Sequence, residues 1–164
     1  METRQKIRVN FQKPLSIGVV GAIGYPKGSQ MVLDVAEIFL EKAPSTMITV
    51  IGMMDVEPRS KNLTVTGQYS RSELANFLQK YGVNLCFFPS ICPETYSYVI
   101  RELIDFGMPV CCFNLGAQAE RIGKYKLGHI FSEIDAEVAV REMISFYDDL
   151  KNGQHNTSGE KRKK

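Results

Sequence analysis

Two carboxylates near the middle of the chain are the side chains best placed to do chemistry. Glu94 and Glu102 have seven residues between them and bracket the start of a helix that follows an apolar strand at residues 83–88. A helix starting near Glu94 puts Glu102 two turns further along, roughly 12 Å away at about 1.5 Å per residue. That span is on the scale of a nucleoside diphosphate sugar, and carboxylates accept hydrogen bonds from diols. The pair therefore predicts an activated sugar as ligand.

Alternating strand and helix patterns predict the framework that positions these carboxylates. We expect strands at residues 15–21, 47–51, 63–66, 83–88, 110–113 and 128–131, and helices at residues 29–43, 70–81, 95–106 and 136–150. The strands are apolar on both faces, which is typical of a parallel sheet covered by helices on both sides. The predicted fold class is α/β, a Rossmann-like doubly wound sheet of about six strands with ligands at the strand carboxyl ends.

A loop after the first strand carries a cation. Gly24, Lys27 and Gly28 directly precede the helix predicted at residues 29–43. Glycine lets the backbone approach an anion, and the ammonium adds a charge suited to a diphosphate. The glycine spacing fits neither a Walker loop nor the dinucleotide fingerprint. A solvated turn lysine remains the alternative interpretation.

The helix that follows Glu94 offers backbone donors beside the carboxylate. Tyr96, Ser97 and Tyr98 are predicted at its first positions, where free N–H groups and the helix dipole favour phosphate. Gly116, after the fifth strand, starts another short helix close to the same site. Taken singly, each carboxylate could instead be a helix-stabilising or solvated side chain, but together with these loops the two favour a ligand site.

Charge and motif content exclude several classes of protein. Residues 1–13 and 151–164 are basic, which leaves 11 basic and 16 acidic groups in residues 14–150. An acidic body argues against nucleic-acid binding, which needs positive charge on the folded surface. No Asp-x-Asp motif occurs, and His129 and His155 have no neighbouring thiols. We therefore expect no metal site, no Ser-His-Asp triad and two surface histidines.

Cysteine placement and hydropathy indicate a reducing compartment. No apolar run approaches the roughly 18–20 residues of a membrane span, and residues 1–13 show no secretory signal. Cys86, Cys111 and Cys112 fall in apolar strand patterns and Cys92 in a loop, without CxxC spacing. We expect free thiols and a cytoplasmic location. The predicted disordered basic tail at residues 151–164 could contact a membrane surface or a partner.

The lysine-glycine loop, the E-x7-E pair and the run Gly107-x-Pro109-Val110 follow one another in a recognisable order. With them the chain resembles the C-terminal, donor-binding domain of retaining glycosyltransferases of the GT-B fold, the glycosyl transferases group 1 superfamily. The similarity covers residues 15–150. Residues 21–28 and 93–98 look like the branch that builds bacterial O-antigen and capsular polysaccharides.

The resemblance implies roles for individual residues. Lys27 and Glu94 would act in catalysis, Lys27 on the donor diphosphate and Glu94 on hydroxyls of the donor sugar. Glu102 would bind the ribose diol, the amides at residues 96–98 would hold phosphate, and Gly67 to Tyr69 would lie near the nucleobase. The sugar nucleotide would be a substrate, and neither a cofactor nor a metal is implied.

The resemblance also sets expectations about domains. Ala22 stands where many members carry an arginine that pairs with the lysine. GT-B enzymes bind their acceptor on an N-terminal Rossmann domain, and this chain has room for one such domain only. We expect a linker or N-terminal extension at residues 1–13, the donor domain at residues 14–150, and a fragment or half-enzyme that is inactive alone. A non-catalytic nucleotide-binding or regulatory subunit and a sugar-nucleotide epimerase half stay open as alternatives.

Overall fold

A computed structural model of the chain describes residues 6–95 and 97–153. These residues form a six-stranded sheet of order β3-β2-β1-β4-β5-β6, in which every paired strand is parallel. The strands are β1 (Ser16–Ile23), β2 (Met47–Met54), β3 (Leu63–Val65), β4 (Leu85–Phe88), β5 (Val110–Cys112) and β6 (Gly128–Ile130). The helices are α1 (Ser29–Lys42), α2 (Leu74–Lys80), α3 (Tyr98–Phe106), α4 (Gly116–Gly123) and α5 (Ala136–Lys151), with 3₁₀ turns at Tyr25–Lys27 and Arg71–Glu73. The predicted Rossmann-like α/β fold is confirmed.

Side chains of the central strands alternate between two apolar cores. In β4, Leu85 and Phe87 pack with α1 and α5, whereas Cys86 and Phe88 pack with α2 and α3. Successive side chains of a strand point to opposite faces, so a strand buried on both faces must be apolar throughout. This burial explains why an uninterrupted apolar run in the sequence predicted a strand correctly.

The centre of the sheet is where its connections change direction. β1 and β4 are neighbours, but α1, which follows β1, covers one face, and α3, which follows β4, covers the other. The chain therefore leaves these two strands towards opposite faces of the sheet, and a crevice lined by the ends of both strands opens at this edge. In doubly wound sheets ligands bind at such a switch point.

The helix after β4 starts later than predicted. It begins at Tyr98 rather than residue 95, because Ser97 caps it: the Ser97 Oγ accepts a hydrogen bond from the Ile100 amide at 3.2 Å. Ser is a favoured N-cap residue, and it fixes the first helical position. Glu102 therefore lies only about 6 Å along the axis from the helix start. The expected separation of two helical turns between Glu94 and Glu102 was wrong, because Glu94 belongs to the loop.

The chain ends lie only partly within the described residues. Ile7 is buried and donates its amide to the Phe106 carbonyl at 2.8 Å, and the Phe11 ring packs on Tyr147 with centroids 6.0 Å apart. The predicted linker at residues 1–13 thus packs, from Ile7 on, against α3 and α5. Residues 1–5 and 154–164, with most of the predicted tail and His155, lie outside the described residues.

The four cysteines are free thiols, as expected, and three are buried. Burial raises the pKa of Cys86 well above that of an ordinary thiol and the pKa of Cys112 to about 12, so neither is reactive near neutral pH. Cys92 is exposed in the loop after β4. None of the described helices is long and apolar enough to cross a membrane.

Candidate functional site

The structure brings together two residues that the sequence placed on separate loops. The Lys27 Nζ lies 3.1 Å from both carboxylate oxygens of Glu94. Lys27 is the last residue of the 3₁₀ turn after β1. Its amide donates a hydrogen bond to the carbonyl of Gly24, the residue before the turn, at 3.0 Å. Glu94 stands in the loop after β4. The pair thus bridges the crevice between the two central strands.

Glu94 is held by its side chain and by its backbone. The Ser90 Oγ donates to the Glu94 Oε2 at 2.8 Å. The Glu94 amide donates to the Gln118 Oε1 at 3.0 Å, and the Glu94 carbonyl accepts from the Ala117 amide at 3.0 Å. Hydrogen bonds to an ionised carboxylate are stronger than neutral ones. The carboxylate therefore has a defined position although it belongs to a loop.

Two glycines let the loops of this site approach one another. Gly28 has φ +93°, and a Cβ there would lie 2.0 Å from the Pro89 carbonyl oxygen. Gly116 has φ +52°, and a Cβ there would lie 2.9 Å from the Glu94 amide nitrogen. Both positions combine a left-handed backbone with a contact too close for any side chain. The glycine predicted at the start of α4 is therefore a structural neighbour of Glu94.

A cavity of about 250 Å³ opens beside the Lys27–Glu94 pair. Its walls come from the ends of β1 and β4 and from the start of α3: Val20, Gly21, Ala22, Ile23, Lys27, Phe88, Pro89, Ser90, Glu94, Ser97, Tyr98 and Val99. The cavity is smaller than the about 300–1,000 Å³ of typical small-molecule sites. Its wall contains one cation, one carboxylate and a helix N-terminus.

Glu102 occupies a different environment. Its side chain is 4% exposed, and one carboxylate oxygen lies 3.3 Å from the Arg71 Nε. The Arg71 guanidinium is 5.5 Å from the centre of the Tyr98 ring. Glu102 does not line the 250 Å³ cavity, but Tyr98 does, so Tyr98 and Arg71 connect the cavity with the buried carboxylate.

The segment predicted to lie near a nucleobase ends beside Glu102. Gly67 has φ +90° and donates its amide to the Gly52 carbonyl at 2.8 Å, which holds the segment at the end of β2. Burial raises the pKa of the Tyr69 hydroxyl, the nearby Glu102 carboxylate raises it further, and Arg71 opposes both. Tyr69, Arg71 and Glu102 therefore form one electrostatically coupled group. Tyr96, predicted as a phosphate donor, lies outside the described residues.

Three residues of the site were not predicted from the sequence as parts of it. Ser90 holds the carboxylate of Glu94, Gln118 holds its amide, and Arg71 pairs with Glu102. Arg71 lies inside a local capping box, in which the Ser70 amide donates to the Glu73 carboxylate at 3.0 Å. A local pattern explained that segment fully and gave no signal for a contact with a helix 31 residues away.

The remaining titratable side chains form no metal cluster within residues 6–95 and 97–153. His129 is partly buried, stacks on Phe146 and lies 2.7 Å from a Glu142 carboxylate oxygen. Burial acts to raise the pKa of Glu142, but hydrogen bonds from Ser132 and His129 together outweigh it, so the pKa is lowered. The expectation that His129 is a plain surface residue was thus too simple, since it ties β6 to α5.

Comparison with known proteins identifies relatives of this fold. A sequence model described as "Glycosyl transferases group 1" matches residues 1–164. The C-terminal domain of the glycosyl transferase group 1 family protein LpcC from Francisella tularensis is 19% identical, with a TM-score of 0.67 over 88% of this chain and 82% of that one. TarM from S. aureus, solved with UDP, is 13% identical, with a TM-score of 0.76 over 96% of this chain. HepE from Anabaena, solved with UDP-glucose, is 13% identical, with a TM-score of 0.67 over 88% of this chain.

The longer of these proteins contain much more than the matched domain. This chain covers 33% of TarM and 41% of HepE. No curated protein sequence matches the chain significantly. At these identities the structural likeness establishes the fold.

Proposed function

The chain belongs to the glycosyl transferases group 1 family, and from this premise we propose that it binds the nucleoside diphosphate sugar donor of a glycosyltransferase. The full enzyme would act in bacterial cell-surface polysaccharide biosynthesis. The observation that carries the proposal is the Lys27–Glu94 pair in the wall of a cavity at the sheet's switch point. A cation and a carboxylate side by side suit a ligand whose diphosphate and sugar hydroxyls are neighbours.

Lys27 and the start of α3 would bind the diphosphate. The Lys27 side chain is 48% exposed, so its ammonium can turn from Glu94 towards a phosphate without leaving a buried site. Transfer breaks the bond between the anomeric carbon and the diphosphate oxygen and forms one from that carbon to an acceptor hydroxyl oxygen, which loses its proton, while negative charge develops on the departing nucleoside diphosphate. The Lys27 ammonium, once on the diphosphate, and the helix N-terminus would stabilise that charge more than they stabilise the ground state. Rate enhancement then comes from groups that are in place before the reaction.

Glu94 would bind the sugar and Glu102 the ribose. When Lys27 turns to the diphosphate, the Glu94 carboxylate keeps its hydrogen bond from Ser90 and gains capacity to accept from sugar hydroxyls. Glu102 lies beyond Tyr98, and its carboxylate would accept hydrogen bonds from a ribose diol beside Arg71. The segment Gly67 to Tyr69 would face the nucleobase.

The acceptor site would lie on an N-terminal domain, in the same chain or in a partner chain. The TarM and HepE chains are more than twice as long as the part that this chain matches. We propose that the isolated domain binds donor and transfers little or nothing, and that it works in the cytoplasm, where its free thiols stay reduced. Peripheral contact with a membrane through the basic ends remains part of the proposal.

An NMR titration with UDP, GDP and ADP tests donor binding. We expect one of these nucleotides to shift the amide resonances of Gly28, Ser97 and Tyr98 in the wild-type chain. Lys27→Met should lower the affinity for that nucleotide about 10-fold. Lys42→Met is the matched control, because Lys42 ends α1 away from the cavity. If none of the three nucleotides shifts these resonances, the proposal is wrong.

A further inference from the structure

We propose that Gln118 is a positioning residue that holds the Glu94 loop in place and thereby sets how strongly the site prefers a sugar nucleotide to the bare nucleotide. The inference rests on the proposed function and extends it to α4, a helix that contributes no wall to the cavity. Its basis is a buried side chain whose two polar atoms both contact the backbone of that loop.

The Gln118 side chain clamps both sides of one proline. Gln118 is 2% exposed. Its Oε1 accepts from the Glu94 amide at 3.0 Å, and its Nε2 donates to the Cys92 carbonyl at 3.2 Å. Pro93, between them, has no amide hydrogen to offer. The Gln118 side chain thus bonds the amide of the residue after the proline and the carbonyl of the residue before it.

The rest of the first turn of α4 supports the same contact. The Ala117 amide donates to the Glu94 carbonyl at 3.0 Å, and Gly116 has no Cβ, which would otherwise lie 2.9 Å from the Glu94 amide nitrogen. The backbone of Glu94 is therefore held from α4 on its N–H and its C=O. Ser90 separately fixes the carboxylate. Gln118 determines where the residue sits, and Ser90 determines where its side chain points.

Losing this clamp should affect one half of the donor only. Without Gln118 the Glu94 amide and the Cys92 carbonyl lose buried partners, and the loop must move to find new ones. A carboxylate displaced with its loop loses its hydrogen bonds to sugar hydroxyls. Lys27, Arg71 and Glu102 stand on other elements, and the Ser97 cap fixes the start of α3 separately, so contacts with the nucleotide remain. The measurable consequence is a lower affinity ratio of sugar nucleotide to nucleotide.

Calorimetry on the full 164-residue chain measures this ratio. The probes are UDP-glucose against UDP, GDP-mannose against GDP, and ADP-glucose against ADP, compared in wild type and in Gln118→Met, which keeps the length of the side chain. We expect the ratio of the pair that binds to fall about 10-fold in Gln118→Met, with the affinity for the nucleotide itself changed less than about 2-fold. Gln79→Met, at an exposed position of α2, is the matched control and should leave both values unchanged.

A double-mutant comparison ties the effect to Glu94. In a Glu94→Gln background, Gln118→Met should lower the ratio no further, because the carboxylate through which it acts is gone. An unchanged ratio in Gln118→Met, or equal loss of nucleotide and sugar nucleotide, would overturn the positioning role. Equal loss is what a merely structural residue would give.

A measurement on the wild-type chain covers the case in which Gln118→Met fails to fold. The Glu94 amide should exchange with solvent at least about 100-fold more slowly than the Thr95 amide, because Gln118 buries and bonds it. Equal exchange of the two amides would contradict the clamp. If no sugar nucleotide binds the wild type while the Glu94 amide is protected, the proposed function fails and the clamp stands as geometry only.

Discussion

Two cation–carboxylate pairs in this domain have similar contact distances and opposite surroundings. Lys27 and Glu94 meet at 3.1 Å across two loops, and the Glu94 carboxylate is 17% exposed beside an open cavity. Arg71 and Glu102 meet at 3.3 Å, and the Glu102 carboxylate is 4% exposed on a regular helix. The first pair depends on loops that other residues hold in place, whereas the second depends on helix packing. We infer that Lys27 of the first pair can change partners when a ligand arrives, whereas Glu102 of the second pair keeps its place in the helix.

The largest expected effect comes from separating the two loops of the first pair. In Gly28→Ala the new Cβ would meet the Pro89 carbonyl at 2.0 Å with φ at +93°. Strain and the forced displacement should lower the free energy of unfolding by about 3 kcal/mol, measured by urea denaturation. Gly82→Ala is the control: Gly82 has φ +61° and no atom within 4 Å of a Cβ. It should cost only about 1 kcal/mol, and equal losses would contradict the close approach.

A smaller effect distinguishes the buried pair from the exposed one. Arg71→Met removes a partner of the buried Glu102 carboxylate and should lower the free energy of unfolding by about 1–2 kcal/mol, less than a fully buried pair because Arg71 itself is 63% exposed. Lys27→Met should change it by less than about 0.5 kcal/mol. Adding Glu102→Gln to Arg71→Met should restore part of the loss. The comparison fails if Lys27→Met is the more destabilising substitution.

The first pair was predictable from the sequence because its positions follow from local patterns and a topological rule. Apolar runs mark β1 and β4, and the loops after parallel strands meet at one edge of the sheet. Lys27 and Glu94 each lie in such a loop, so their proximity needed no knowledge of side-chain contacts. The same reasoning placed Gly116 near Glu94.

The partners of both pairs were not predictable, for physical reasons. Gln118 is 24 residues from Glu94, and Arg71 is 31 residues from Glu102. Local sequence periodicity does not indicate contacts between residues so far apart in the chain. The start of α3 was misplaced because Thr95 and Ser97 are both of cap-forming types, and the sequence does not distinguish which of them caps the helix. Contacts between side chains of different helices and loops are therefore seen only in the folded structure.

A change of about 10-fold in nucleotide affinity should show that Glu102, and not Glu94, binds the ribose. If Glu102 binds the ribose diol, the wild type should prefer the nucleoside diphosphate that binds over its 2′-deoxy form by about 10-fold. Glu102→Gln should abolish that preference, since the amide presents one acceptor where the carboxylate presents two. Glu94→Gln should keep the preference. Calorimetry with UDP and 2′-deoxy-UDP measures the preference in each variant. An unchanged preference in Glu102→Gln would contradict a role of Glu102 in ribose binding.

The smallest expected effect is a change in the pKa of Tyr69. Glu102 and Arg71 influence this pKa in the absence of any ligand. Burial and then Glu102 raise the Tyr69 pKa, and Arg71 lowers it. Glu102→Gln should therefore lower the Tyr69 pKa and Arg71→Met should raise it, as measured by NMR of ¹³C-labelled tyrosine assigned with Tyr69→Phe. Because the folded chain favours protonated Tyr69, this contribution to stability is complete below about pH 10 and is lost as pH rises through the raised pKa. Shifts of the same sign in both variants would contradict direct electrostatic coupling of Tyr69 to Glu102 and Arg71.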